Sequence, residues 1–337
     1  MTTHDGGGGL TGGAASGRAP DTFRYRPVRP DELGACTEIW RTSINDYVVP
    51  LGQGELPTDT GTLLRLYQHL HTTDPQRFVV AVEDDPTAES GERVVAFAAA
   101  VQRERLWFLS MCFVLPGIQG AGVGRTLLEH AGASPGSGVV RSTATDSAQP
   151  ISNALYASIG IVPRVPLLNL VGLPRRPEGF EELPSGISPV PFDELAGRAS
   201  GEDGHARLAA TVDALDRETL GVAHPQDHRW LRESGRRGWL YHGPDGSPVA
   251  YGYVSETGRV GPVAARDRAL VAPILGHLTS SVVPTGAFAL WLPGDADAAV
   301  IGALRAGFRL EPFPILLCWD TPFVDLQRYL PISPGLL

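Results

Sequence analysis

The sequence predicts an α/β fold of the α+β type, laid out twice in tandem along 337 residues. Three observations carry that expectation. Over the first half, apolar runs of strand length alternate with segments of helical periodicity in the order β-α-α-β-β-β-α-β-α. A glycine-rich stretch ending at Gly124 stands between one of those strands and the next helix. After about residue 187 the chain starts again: Val190-Pro191-Phe192-Asp193-Glu194-Leu195 repeats the V-x-x-D-E-L pattern of Val28 to Leu33. The length suits two domains of ordinary size, each with its own core.

Taken in order, residues 1–22 read as a disordered, glycine-rich tail, with Gly6 to Gly9 consecutive. Phe23 to Val28 alternates and opens the fold as a strand. Pro30-Asp31-Glu32-Leu33 starts a helix, proline and acids suiting its first turn, and Ile39, Trp40, Ile44 and Val48 continue its apolar face. A loop around Pro50 to Pro57 leads to a second helix through Leu63, Leu66, Tyr67 and Leu70. Strands follow at Arg77–Val82 and Val94–Gln102, with an acidic loop between them, and then comes the aromatic-rich run Leu106 to Val114. Past the glycines, Val123, Leu127, Leu128 and Ala131 recur at helical spacing. Gly138 to Ala144 is another strand, and Gln149 to Ile161 another helix.

Glycines between a strand and a helix N-terminus let the backbone approach an anion, toward which the unpaired first-turn N–H groups point. The spacing decides which anion site this is. No lysine follows the glycines, or occurs anywhere in the chain, so a Walker loop is excluded. Gly120-Ala121-Gly122-Val123-Gly124 is G-x-G-x-G rather than the dinucleotide G-x-G-x-x-G. Gln119 to Gly124, with the strand and Pro116 before it, resembles the Q/R-x-x-G-x-G/A acyl-CoA loop of the GNAT acetyltransferases. Downstream, Leu155-Tyr156 and Gly160 resemble that family's next helix, and Gln149 stands seven residues before the tyrosine, where the family often has asparagine. The resemblance covers about residues 23 to 172.

The resemblance implies a mixed, mostly antiparallel sheet flanked by helices, and acetyl-CoA as acyl donor. It places Phe113, Val114, Gln119, Gly120, Ala121, Gly122, Val123, Gly124, Arg125, Thr126 and Gln149 at the cofactor. It makes Tyr156 the acid that protonates the departing thiolate. The pantetheine arm would pair with the backbone of the strand ending at Val114. For the base, the strand before the loop offers Ser110, able to relay a proton through water; Glu104, Asp46, Glu55 and Asp146 are other carboxylates, and none is assigned. Cys112 reads as a small buried hydrophobe rather than a nucleophile.

The expected domains are 23–175, a linker at 176–186, and 187–337. Ala306 to Leu317 echoes Ile159 to Leu168, and a hairpin is predicted around Pro244-Asp245-Gly246. The second half lacks the chemistry: Val260 to Leu270 has one glycine, and Ala303 stands where the tyrosine would be. It therefore reads as a degenerate GNAT-like domain that covers a cleft.

Composition narrows the function further. The net charge of −9, with all 28 basic residues arginine and no basic block, argues against nucleic acid. The acidic balance is more compatible with a cationic amine. Three scattered cysteines and nine unpatterned histidines suggest a reducing compartment and no metal. No stretch is long and apolar enough to span a membrane, so the expected location is the cytoplasm; the resemblance implies transfer of acetyl to the primary amine of a small molecule. The alternatives are an acyltransferase using another acyl donor and a silent CoA-binding regulatory module. Homodimerisation is left open.

Overall fold

The computed structural model describes residues 22–134, 136, 138–198 and 202–337. The expected tail, save Thr22, lies outside the described residues. The chain divides into two compact units. One runs to Ala99 and resumes over Cys112–Gly132; the other comprises Ala100–Met111 and Ala133–Leu337.

In the first unit, β1 (Arg24–Pro27) leads through a short turn into α1 (Leu33–Val48). Glu32 closes that turn by accepting the N–H of Arg29 at 2.8 Å. α2 (Gly61–Thr73) follows, then β2 (Phe78–Asp84) and the start of β3 (Glu92–Arg103). β2 pairs antiparallel with both β1 and β3. Phe78 to Val82 and Val95 to Val101 are unbroken buried runs rather than alternating ones, as strands covered on both faces require. Tyr67 from α2 meets Phe78 edge-on at 5.6 Å and Phe97 at 5.4 Å, joining helix to sheet. The end of β4 (Leu106–Val114) and α3 (Val123–His130) complete the unit, α3 burying Val123, Leu127 and Leu128.

The second unit takes up the rest. β4 pairs parallel with β5 (Val140–Asp146) from Leu106/Val140 to Leu109/Thr143. α4 (Pro150–Ser158) and β6 (Val162–Gly172) follow. Beyond residue 187 come β7 (Ser188–Pro191), α5 (Phe192–Arg198), α6 (Glu202–Thr219), α7 (Pro225–Glu233), β8 (Arg237–His242), β9 (Pro248–Val254) and β10 (Arg259–Ala265). The chain ends with α8 (Val271–Ser280), β11 (Phe288–Pro293), α9 (Asp297–Ala306), β12 (Arg309–Leu310), β13 (Ile315–Trp319) and β14 (Tyr329–Leu330). β8 and β9 form the predicted hairpin. Strand order here is β4-β5-β13-β6-β11-β10-β9-β8-β7, a mixed and mostly antiparallel sheet with helices against it. Val254, Val263, Ile274, Leu275, Phe288 and Ala303 sit in its core.

That order shows strands exchanged between the halves of the sequence. β13, from the second half, lies between β5 and β6, pairing antiparallel with each. β6, the last strand of the first half, pairs through Leu167–Gly172 with β11 of the second. Arg141 on β5 fastens the exchange: its Nε and backbone N–H both donate to the Asp320 carboxylate, at 2.8 and 3.0 Å. Residues 176–186, the expected linker, lie inside the second unit. Phe180, within it, is buried in the second half's core.

Candidate active site

The glycine loop takes the form that its residues allow. Gly117, Gly120 and Gly122 have φ of 86°, 81° and 82°, a region that side-chain-bearing residues rarely adopt. Gly122 is the N-cap of α3, and no side chain caps that helix. The first i→i−4 bond runs from Thr126 N–H to Gly122 O at 3.2 Å, so the N–H groups of Val123, Gly124 and Arg125 all precede it in the first turn. A partial positive charge of about half an electron is therefore presented at a helix start that no side chain caps. Gln119 braces the loop from behind, its Nε2 donating to the carbonyl of Val114 at 3.0 Å. Ser43 of α1 donates to the same carbonyl at 3.2 Å. Phe113 packs its ring against Phe97 at 5.7 Å. Loop and strand end, expected at the cofactor, are thus one continuous structure in the first unit.

The other expected residues lie in the second unit. Tyr156 is buried, 4% exposed, on α4. The helix ends two residues after it, at Ser158: the Tyr156 carbonyl accepts from the N–H groups of Ile159 and Ile161, and Gly160 takes φ 89°. Gln149 is the N-cap of α4, with Oε1 accepting from Ile151 N–H at 3.2 Å, and is half-buried. Its side chain therefore has a capping role. Asn153 donates to the carbonyls of Asp146 and Gln149, so it ties the end of β5 to α4. Ser110 is 6% exposed and donates its hydroxyl proton to the carbonyl of Gly335. The one proton a relay would use is committed to that contact. In the terminal segment, Tyr329, Leu330, Ile332, Leu336 and Leu337 are buried.

A further polar constellation escaped the sequence reading. Asp216 on α6 receives His228 Nε2 at 2.7 Å and His224 Nε2 at 3.3 Å on Oδ2, and the Tyr251 hydroxyl on Oδ1. His228 Nδ1 lies 3.1 Å from the Tyr253 hydroxyl, and the Tyr329 hydroxyl 3.2 Å from His224 Nε2. Asp227 is held in a fork by Arg103, at 2.7 and 2.8 Å. Burial alone would push the Asp216 carboxyl up, but the two imidazoles hold it well below the usual carboxylate range. A cavity of about 10 Å³, lined in part by Arg103, Phe108, His224, Asp227 and Leu337, adjoins the cluster. The signal in the sequence was His224-x-x-x-His228 at helical spacing; Asp216 and the tyrosines come from separate elements.

Among known proteins, the acetyltransferase (GNAT) family model matches residues 39–161. No curated protein matches the sequence. Of solved structures, a candidate acetyltransferase from Pyrococcus horikoshii superposes with TM-score 0.66 at 13% identity, over 94% of this chain and 96% of its own. A GCN5-related N-acetyltransferase from Sphaerobacter thermophilus gives 0.57 at 19% identity, over 92% and 99%. A fungal multidomain β-N-acetylglucosaminidase with a glucosamine N-acetyltransferase region gives 0.54 at 15%, over 88% of this chain and 38% of its own. At these identities the likeness is one of fold, and in the first two cases it runs nearly end to end. Among the described residues no helix is long and apolar enough to cross a membrane. The glycine loop, β4 and α3 all lie inside the segment, residues 39–161, that the acetyltransferase (GNAT) family model matches.

Proposed function

We propose that the chain is an acetyl-CoA-dependent N-acetyltransferase acting in the cytoplasm on the primary amine of a small molecule. The observation that carries this reading is the start of α3 on a left-handed glycine with no side-chain cap. In this reading the pyrophosphate of the donor is held by the N–H groups from Gln119 to Thr126, and the loop's glycines keep carbon atoms out of its way. Phe113 and Val114 supply the strand end beside the pantetheine arm. Gln149 acts by fixing the start of α4 rather than by touching the donor.

The neutral amine attacks the thioester carbonyl, a C–N bond forms and the C–S bond breaks. Tyr156 gives its phenolic proton to the leaving thiolate, and the excess proton on the nitrogen passes to solvent. Alignment of amine and thioester supplies much of the rate, since well-oriented groups are worth about 7–11 kcal/mol. A positioned acid adds about 10²–10⁴-fold. Ser110, its proton given to Gly335, anchors the terminal segment in this reading.

Two substitutions test it together. Gly122→Val places branched carbons where the helix needs a left-handed residue, so calorimetric affinity for acetyl-CoA should collapse. Tyr156→Phe keeps the ring and removes the proton, so kcat should fall with little change in KM. Near-normal acetyl-CoA binding by Gly122→Val would remove the cofactor assignment. An unchanged kcat for Tyr156→Phe, where chemistry limits turnover, would return Tyr156 to packing. Turnover confined to longer acyl-CoA donors would replace acetyl transfer.

A further inference from the structure

We propose that Asp216, His224 and His228 form a closed structural site for one divalent transition-metal ion of the zinc class. The three donor atoms lie within 4.8 Å of one another, on residues that are 0–2% exposed. His224 and His228 are four residues apart at the start of α7, and their rings stack at 4.3 Å, so both Nε2 atoms face the Asp216 carboxylate. A tetrahedral zinc ion with bonds of about 2.0–2.2 Å sets its ligands about 3.3–3.6 Å apart. The separations of 3.3 and 2.7 Å from Asp216 Oδ2 lie at and below that edge, so a small outward movement of His228 admits the ion. The Tyr329 hydroxyl, 3.2 Å from His224 Nε2, is placed as a fourth donor, the second oxygen of the set.

The surroundings match what a metal-bound imidazole needs on its other nitrogen. His228 Nδ1 faces the Tyr253 hydroxyl at 3.1 Å, which can accept its proton once Nε2 is on the metal. Among the described residues His224 Nδ1 has no hydrogen-bond partner, and it lies 3.6 Å from Asp227 Oδ2, a carboxylate fixed in place by Arg103. A buried carboxylate behind an imidazole is the usual second partner of a metal-bound histidine. Charge points the same way. Arg103 offsets Asp227, which leaves the fully buried Asp216 needing a positive partner, since an uncompensated buried charge is costly. Two imidazoles, a carboxylate and a phenol are a borderline-soft donor set that suits zinc rather than calcium or magnesium. Binding the ion displaces the protons now shared between the Nε2 atoms and Asp216, so uptake releases protons to solvent.

The experiment uses the full chain without a histidine tag, produced in zinc-supplemented medium because the site is closed, then gel-filtered and analysed for metals. The expected result is about one zinc per chain, lost in Asp216→Asn and in His228→Gln and kept in Tyr253→Phe. Cobalt in place of zinc should give the intense visible absorption of a four-coordinate N/O site, and stripping the ion should lower the melting temperature. Wild-type protein without stoichiometric metal overturns the proposal, and the cluster is then balanced by a proton shared among its histidines. Metal retained by both ligand variants overturns it equally. If either variant fails to fold, the wild-type metal content and cobalt spectrum decide alone. Neither readout involves acetyl transfer, so failure of this site leaves the enzymatic reading untouched.

Discussion

Arg103 and Asp227 offer a sharp energetic test, because both side chains are almost fully buried, at 3% and 1% exposure. Their two parallel hydrogen bonds, at 2.7 and 2.8 Å, are strong only while both partners are present. Arg103→Met alone leaves Asp227 negative in the core, next to an already negative Asp216. Asp227→Leu alone leaves a buried guanidinium with carbonyl contacts such as that of Gln102 at 3.0 Å. Each single variant should lose about 3–5 kcal/mol. The double variant removes one positive and one negative charge together, so the balance around Asp216 is unchanged. It should therefore cost far less than the sum, and coupling should exceed about 2 kcal/mol, above the additivity error of about 0.5 kcal/mol. The measurement is urea unfolding of the four proteins at pH 7, with m-values compared to confirm the same transition. Additive losses would refute the reasoning, since two independent contacts would then account for the burial and no charge compensation would be at work.

Two further outcomes follow from other parts of the chain. Burial pushes the Glu32 carboxyl up, but hydrogen bonds from Arg26 and from Arg29 N–H outweigh it, so its folded pKa is lowered. The stability this confers is complete above the unfolded value of about 4.3 and is lost as pH falls through the lower folded value; Glu32→Gln should flatten acid unfolding there, and an unchanged acid limb would contradict the assignment. Splitting the chain between Glu182 and Leu183 should give fragments that are not monodisperse alone, because each loses strand partners, yet form a one-to-one complex when co-expressed. A stable, monomeric N-terminal fragment on gel filtration would show that the exchanged strands are dispensable.

The order of elements in the first half was legible because helical and strand periodicities are local, and the glycine loop because its conformation is dictated residue by residue. Gly120 and Gly122 are left-handed where the pattern demanded glycine. What was not legible was who pairs with whom. The echo between Ala306–Leu317 and Ile159–Leu168 marked β13 and β6 as counterparts, but nothing in either stretch says that β13 lies beside β5 rather than beside β11. Backbone pairing carries no side-chain signature. Ser110 shows the same limit: alternation placed it on the strand's face, while its partner, Gly335, is 225 residues away and offers a carbonyl. The Asp216 cluster draws on three helix positions and three strand tyrosines, so only its His224–His228 spacing was visible.

The last prediction is that one chain binds one acetyl-CoA. In the second half, β10 pairs parallel with β11 only at Arg259/Ala289 and Val260/Leu290. Further along, Val263 and Ala264 pair antiparallel with Leu330 and Tyr329 of β14, so the chain itself occupies the edge that a pantetheine arm would need. Displacing β14 would break backbone bonds worth about 0.5–1.5 kcal/mol each. It would also expose Tyr329 and Leu330, now 0% and 2% exposed, at about 1.5–3 kcal/mol for a side chain of that size. The helix start offers no recompense. Where α3 begins on an uncapped glycine, the turn before α8 is capped by Asp267, whose Oδ1 accepts from Ala269 N–H at 2.9 Å. A carboxylate already fills the place of an anion there and would repel a pyrophosphate. Several kcal/mol of lost structure, with no cradle to offset them, weaken binding by a factor of ten for each 1.4 kcal/mol. Calorimetric titration of the full chain should saturate near one equivalent, and Gly122→Val should abolish that single event. Saturation of the wild-type chain near two equivalents would mean that β14 yields to the donor and that the second half is a working site.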